Sequence, residues 1–415
     1  MKSLLDFIKA FLRNNGQFVF LSLLIAKICA FAGSVLMVRI LPENEFGVLT
    51  IAATVFAVFS PFSGFGSTQS LMRFGSLCDD EKAKSELSDY LFKKGFINQL
   101  LLSIVFFLFA FVYINQYSQI FLIFSFFTIR LVGVYFFYHI QSERRIHFKN
   151  RDFARMNNVV NISGLLMMLL FTYYWGLLGY LIANALAPFI SLFWFQGSIK
   201  NAAPDLHQFG KKEIWSFALH ASSTALLSDA FFSADILLLS FFKDENAVAN
   251  YKIAILIPSN ITFLALSFLQ SDYPVLAKNF RNKVFLKNYI FNYYKIFIPV
   301  SAAIFISGYF LSGFIMKIFF GAEYMDNSFV FSLFLLAFCG SMLLRNLYGN
   351  LLAAVGMMKK NTLYSALSII ILSFFAFLLV PKGGLEGMAV AMSISLTLMG
   401  FFLMFSFLNY LRKLK

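Results

Sequence analysis

Seven ionisable side chains interrupt otherwise apolar runs, and their types suit the handling of a charged cargo. Lys27, Arg130 and Arg345 lie well inside three such runs, and Lys252 lies a turn or two inside a fourth. Asp229 and Asp235 share another run with His220. A charge at the centre of a membrane helix costs about 2.5–3.5 kcal/mol on insertion scales, so such a residue faces a cavity or a partner. Cations suit an anion that must cross a low-dielectric slab. Lys and Arg replace its lost hydration, and the Arg fork grips a phosphate through two parallel N–H donors. The same residues have a structural use, in which Lys27, Arg130 and Arg345 pair with Asp229 and Asp235 to pin helices together. Asp235 or His220 could also bind a coupling proton, because burial and neighbouring charge move carboxyl and imidazole pKa values. On a wheel of 100° per residue, His220, Thr224 and Asp235 fall within about 60° with Ser223 beside them, while Asp229 points away. This pattern predicts one polar stripe along a cavity and a separate partner for Asp229.

The elements that carry these residues are membrane helices. The chain has 415 residues, 60% apolar and only 13% charged, with a mean hydropathy of +0.75. A soluble protein carries roughly 25% charged residues, so most of this surface faces something other than water. The 57 Phe agree, since lipid tolerates exposed rings. Runs of about 20 apolar residues, enough to cross a bilayer, recur from end to end and leave no room for a globular domain. Breaks between runs predict twelve spans at 17–38, 47–70, 95–114, 119–140, 157–174, 177–197, 214–241, 247–270, 289–314, 328–350, 361–380 and 386–408. Only Tyr173-Tyr174-Trp175-Gly176 divides the fifth from the sixth, and those rings suit an interfacial turn. Ahead of the first span, Lys2, Asp6, Lys9 and Arg13 fall within about 60° on the wheel. Residues 1–16 are therefore expected to form an amphipathic helix at the interface rather than a cleavable signal.

Orientation follows from the basic residues. Alternate loops hold twenty-five Lys and Arg against four, namely Arg39, Lys243, Lys317 and Lys382, on the other side. The positive-inside rule places both termini in the cytoplasm, and an odd span count would spoil the alternation. The net charge of +14 is thereby a matter of topology, and no nucleic-acid partner is implied. Arg39 and Arg73, at span ends, read as snorkelling anchors. Cys29, Cys78 and Cys339 have no CxxC spacing, so neither a disulfide framework nor a metal site is expected, and no cofactor is called for.

The loop pattern suggests two halves, 17–197 and 214–415, joined by a cytoplasmic linker at 198–213. At an offset of 202 residues, Glu43/Glu245, Asn44/Asn246, Ile51/Ile253 and Ala52/Ala254 are identical, each set in the outer hairpin that opens its half. Six spans per half give both the same orientation, a parallel repeat about an axis normal to the membrane.

Arg39-Ile-Leu-Pro-Glu-Asn-Glu-Phe-Gly-Val-Leu resembles the "R-(I/L)-L-x-x-x-x-(F/Y)-G" hallmark of the polysaccharide-biosynthesis transporters. These are the O-antigen flippase (Wzx-type) branch of the multidrug/oligosaccharidyl-lipid/polysaccharide exporter superfamily. Ser233-Ala-Asp235-Ile, Ala249-Asn-Tyr251, Asp272-Tyr-Pro274-Val-Leu-Ala277, Gly321-Ala-Glu-Tyr324 and Gly383-Gly-Leu-Glu-Gly387-Met-Ala-Val-Ala391 follow in the family's order. The resemblance implies an all-α, MATE-like bundle of two six-helix lobes with a central cavity, in the bacterial inner membrane. It also implies that the substrate is an undecaprenyl-diphosphate-linked oligosaccharide, with the polysaccharide polymerase machinery as a further partner.

Three other classes fit less well. A drug/cation antiporter wants carboxylates without competing cations, yet the first span offers Lys27 and no acid, and the second has no acid either. An exporter of capsule, exopolysaccharide or teichoic-type units shares every feature above. A membrane glycosyltransferase or polymerase needs a sizeable catalytic loop, whereas the longest outer loop spans only about a dozen residues, from Lys317 to Asp326. No DxD pair accompanies the Asp79-Asp80-Glu81 cluster, and GxxxxGK[ST] is absent, so ATP hydrolysis is not expected.

Overall fold

The computed structural model describes residues 4–113, 119–196, 209–243 and 245–414. The linker expected at 198–213 lies outside them as far as residue 208. The side chains of Arg39, Glu43, Asn44, Glu245, Asn246 and Ala249, which carry much of the Arg39 motif and the offset-202 repeat, also lie outside the description. Among the described residues every regular element is helical. Before the linker come α1 (Leu4–Arg13), α2 (Gly16–Ile40), α3 (Glu43–Phe59), α4 (Ser67–Gly75), α5 (Glu81–Leu108), α6 (Ile120–Ile146) and α7 (Asn150–Leu186). After it come α8 (Lys211–Phe242), α9 (Glu245–Lys278), α10 (Lys283–Phe310), α11 (Ser312–Phe319), α12 (Ser328–Ser341), α13 (Leu347–Ala354) and α14 (Met358–Lys413). Asp80 caps α5 by accepting from the Ala83 amide at 3.3 Å, and Asn282 caps α10 by accepting from Phe285 at 2.9 Å.

Ten helical segments among the described residues are long and apolar enough to cross a membrane. Two are too long for one crossing: Asn150–Trp194 has 45 residues and Met358–Lys413 has 56. At 1.5 Å per residue the longer would reach about 84 Å, against roughly 30 Å of hydrocarbon. Each folds back at a glycine, Gly176 in α7 and Gly384 in α14. Three residues further on, Gly179 and Gly387 lie against the carbonyls of Phe171 and Leu379, where an added Cβ would stand 1.9 Å and 2.4 Å from the oxygens. Eight residues separate those groups in sequence, about 12 Å along a straight helix, so the chain reverses. With each folded segment counted as two crossings, the bundle has the twelve spans read from the apolar runs. Tyr173, Tyr174 and Trp175, which lead into the first reversal, are 77%, 71% and 59% exposed, as an aromatic anchor at the headgroup level would be.

The chain forms two compact units, Phe11–Ser223 and Thr224–Lys415 with Met1–Ala10. In the first, Leu49, Phe106, Phe124, Phe127, Leu131 and Leu181 form a core between α3, α5, α6 and the returning half of α7. Along the α2 seam, the Asn157 amide donates to the Ser22 carbonyl at 2.9 Å. In the second, Phe231, Tyr251, Phe334, Phe338 and Met392 tie α8, α9, α12 and α14 together. A further cluster around Tyr289, Tyr293, Leu351 and Phe407 joins α10, α13 and the end of α14.

Span two is interrupted. Between α3 and α4, Ser63 is extended (φ −49°, ψ 122°), and Gly64, Phe65 and Gly66 all have positive φ. Irregular backbone at membrane depth is tolerated where protein satisfies it. Here Gln99 of α5 does so, accepting from the Ser63 hydroxyl at 3.0 Å and the Gly64 amide at 2.9 Å, while its own amide donates to Ser103 at 3.0 Å. Arg73, expected to snorkel from the end of this span, is instead 4% exposed, because the break sets all of α4 but Gln69 inside the unit.

Candidate functional site

The first unit holds a cavity of about 680 Å³ bounded by α2, α3, α6, both halves of α7 and the turn after it. Small residues make the room. Ala30 and Gly33 of span one, Ala53 and Ala57 of span two, Gly164 of span five and Ala187 of span six all line it. Larger apolar groups, among them Met37, Leu49, Phe137, Leu165 and Met168, complete much of the wall.

Arg130 is the one charged residue among those lining the cavity. It projects from α6, and two contacts fix its guanidinium. The plane lies over the Phe56 ring, with 5.1 Å from the guanidinium carbon to the ring centroid, a cation–π contact. Nη1 donates to the side-chain oxygen of Asn184. The Tyr180 and Tyr138 hydroxyls stand near enough to interact with the charge. The Nε–H has no hydrogen-bond partner among the described residues. No carboxylate of those residues lies within 4 Å, and the sequence explains why: no Asp or Glu occurs at 46–78, 90–142 or 153–204. The positive charge of Arg130 is therefore oriented but not neutralised. Thr54 and Asn161 add polar groups to the wall, Asn161 donating to the Asn157 carbonyl at 2.7 Å.

The other residues singled out from the sequence are not brought to this cavity. Lys27 is exposed on α2, two residues from the cavity-lining Cys29. Lys252 is exposed on α9. Arg345 sits on a π-helical turn, Met342–Asn346, that links α12 to α13. Its Nη2 donates to the Ser228 hydroxyl at 3.2 Å and its plane lies 5.2 Å over the Phe232 ring. Asp229, exposed on α8, is near enough for its charge to attract that of Arg345, although the two make no ion pair within 4 Å. A π turn of this kind often marks a functional position in a helix.

Asp235 corrects the expected polar stripe. It is 1% exposed, inside the core of the second unit, not on a cavity wall. One carboxyl oxygen accepts from the Ile236 amide at 2.7 Å and the other from the Tyr251 hydroxyl at 2.9 Å. Thr224, expected on the same stripe, is engaged by the Thr362 hydroxyl at 2.9 Å. Neither Asp235 nor Asp229 makes an ion pair within 4 Å among the described residues, so the expected pinning pairs with Arg130 and Arg345 do not form.

The residues that the sequence reading missed are neutral or hidden in a motif. Tyr138, Asn161, Tyr180 and Asn184 carry no charge, and a scan for ionisable groups passes over them. The usable signal was the spacing of Tyr180 and Asn184, four apart and hence on one face of span six. Asp272 lies in the Asp272-Tyr-Pro274 motif. It proves to be a buried carboxyl, 7% exposed, that accepts from the Tyr289 hydroxyl at 3.1 Å.

The sequence profile of the polysaccharide biosynthesis protein family matches residues 12–280. No individually curated protein matches the chain. Among solved structures, an outward-facing multidrug resistance MATE family transporter of the MOP superfamily superposes with a TM-score of 0.77 at 14% identity, covering 97% of this chain and 95% of that one. The Vibrio cholerae MATE transporter VcmN, in its bent form, gives 0.79 at 14% identity, with 99% and 98% coverage. A MOP superfamily transporter from Pyrococcus furiosus, described as having a binding pocket of reverse polarity that suggests a different function, gives 0.78 at 13% identity, with 97% and 95% coverage. The solved structures that share this fold are described as transporters. The chain is a multi-pass membrane protein with the MATE-like fold, and it belongs to the polysaccharide biosynthesis protein family.

Proposed function

We propose that the chain is a flippase for an undecaprenyl-diphosphate-linked oligosaccharide, an O-antigen repeat unit, which it moves by alternating access from the cytoplasmic to the periplasmic leaflet of a bacterial inner membrane. The family points to polysaccharide assembly, and the observation that carries the reading is Arg130. It is an oriented cation in a largely apolar cavity, with no carboxylate of the described residues within 4 Å. A diphosphate leaving water loses hydration, and a preorganised guanidinium with tyrosine and amide groups around it replaces part of that shell. Lys27, Lys252 and Arg345 are further candidate contacts for the anion, the first two exposed on their spans.

The same chemistry serves other lipid-linked glycans, so capsule or exopolysaccharide units are alternative cargoes of the same mechanism. A cationic drug is disfavoured, because the cavity presents a cation and no acid. Deletion of the gene tests the reading. The deletion strain should lack its surface polysaccharide and accumulate the lipid-linked unit on the cytoplasmic face. Normal sidedness of that intermediate would overturn it. Complementation of flippase-null strains that make different repeat units would then identify the sugar.

A further inference from the structure

The cavity holds a second residue whose chemistry is specific to an anion site. We propose that Asn184 is the positioning residue for an oxyanion subsite at Arg130, an inference that rests on the reading of Arg130 as an anion contact. It orients the guanidinium while leaving its charge intact, for a ligand that is either the phosphate of a lipid diphosphate or the carboxylate of an acidic sugar.

The geometry is the first argument. Asn184 takes up Nη1 and Phe56 covers one face of the plane, so two contacts from different helices fix the guanidinium. Asn184 takes one of the five guanidinium N–H donors, and the Nε–H has no partner among the described residues, in a wall that is otherwise mostly apolar. A donor left in such a place is costly unless a ligand takes it.

The choice of an amide is the second argument. An aspartate at position 184 would hold the guanidinium equally well, but it would cancel its charge, and an anion would then meet a neutral pair. An amide accepts the same hydrogen bond with no net charge. A helix face with no acid over the whole of spans five and six, at 153–204, keeps the local field positive. The third argument is placement. Tyr180 and Asn184 stand four residues apart on one face of the returning half of α7. The Gly176 reversal, one turn before Tyr180, sets that face toward the cavity, which both residues line.

The test is binding to the purified full-length chain in nanodiscs, read by calorimetry with farnesyl diphosphate, inorganic pyrophosphate and D-glucuronate as probes, with Tm measured alongside. The wild type should bind at least one probe, and R130Q should lose that binding. N184D should bind at least tenfold more weakly with Tm unchanged or raised, while N184S, which keeps a neutral acceptor, should stay within threefold of wild type. Binding of the diphosphates alone assigns the subsite to the lipid headgroup, and binding of glucuronate alone assigns it to a sugar acid. If the wild type binds no probe, or R130Q binds as well as wild type, the anion reading of Arg130 falls and this proposal with it. If R130Q loses binding but N184D stays within threefold, Arg130 stands and the role of Asn184 is overturned. Loss of binding in both N184D and N184S with a lowered Tm in both would assign Asn184 to the fold alone and overturn it too.

Discussion

Gly176 and Gly384 hold the same backbone conformation at the same point of the two units, (55°, −136°) and (54°, −127°). Each opens a Gly-x-x-Gly turn, Gly176-Leu-Leu-Gly179 and Gly384-Leu-Glu-Gly387, whose second glycine sits against a carbonyl five residues before the first. The two sets are 208 residues apart, a second internal match beside the one at offset 202. A side chain at either positive-φ position is strained, by about 1–3 kcal/mol. G176A and G384A should therefore lower Tm by similar amounts in detergent-solubilised protein. G179A should lower it further, since its Cβ would meet the Phe171 oxygen at 1.9 Å. A Tm unchanged in G176A but lowered in G384A would show that the two reversals are not equivalent.

The break in span two depends on one side chain. Gln99 accepts from both the Ser63 hydroxyl and the Gly64 amide, and it is fully buried. Its replacement by Leu strands two donors inside the first unit, each costing about 1–3 kcal/mol. Q99L is expected to lose several degrees of Tm. Q99E keeps the acceptor for both and should lose less. If both variants match wild type, other groups satisfy the break.

The span count, the helical fold and the family were legible because they rest on long, redundant patterns. Twelve apolar runs and a one-sided loop charge survive errors at any single residue. The charged residues were legible as types but not as places. Asp235 looked like a cavity group on a wheel, yet a wheel knows one helix and not the Tyr251 hydroxyl that comes from the next. Arg73 looked like a span end because the 60–66 break, set by long-range bonds to Gln99, leaves no apolar gap in the sequence. Asn184 was hard to single out for a different reason: its spacing from Tyr180 marks a shared face, but its role comes through its bond to Arg130, 54 residues away.

Two buried carboxyls in the second unit each accept from a tyrosine hydroxyl, Asp235 from Tyr251 at 2.9 Å and Asp272 from Tyr289 at 3.1 Å. Y251F removes one of the two donors that reach Asp235, and about 1–3 kcal/mol of stability should go with it. D235N keeps an acceptor for Tyr251, so its expected Tm is close to wild type. The functional outcomes separate a structural from a coupling role. If Asp235 carries a coupling proton, D235N supports normal expression but makes transport in inverted vesicles indifferent to an imposed pH gradient. Transport that keeps its gradient dependence in D235N excludes that role.

Arg345 and Asp229 present the same choice between pinning helices and meeting cargo. Their charges attract, but Asp229 is exposed and no ion pair within 4 Å forms, whereas Arg345 has its own contacts with Ser228 and Phe232. An attraction of that kind is worth about 0.2–1 kcal/mol. A double-mutant cycle with D229N and R345Q, measured on Tm, should thus give a coupling energy below about 1 kcal/mol, which leaves Arg345 available to an anion. Under the proposed function, R345Q then lowers transport while D229N does not. Coupling above about 2 kcal/mol would mean a desolvated pair. Arg345 would in that case hold the second unit together and drop out of the substrate route, leaving Arg130 as the cation held in a cavity.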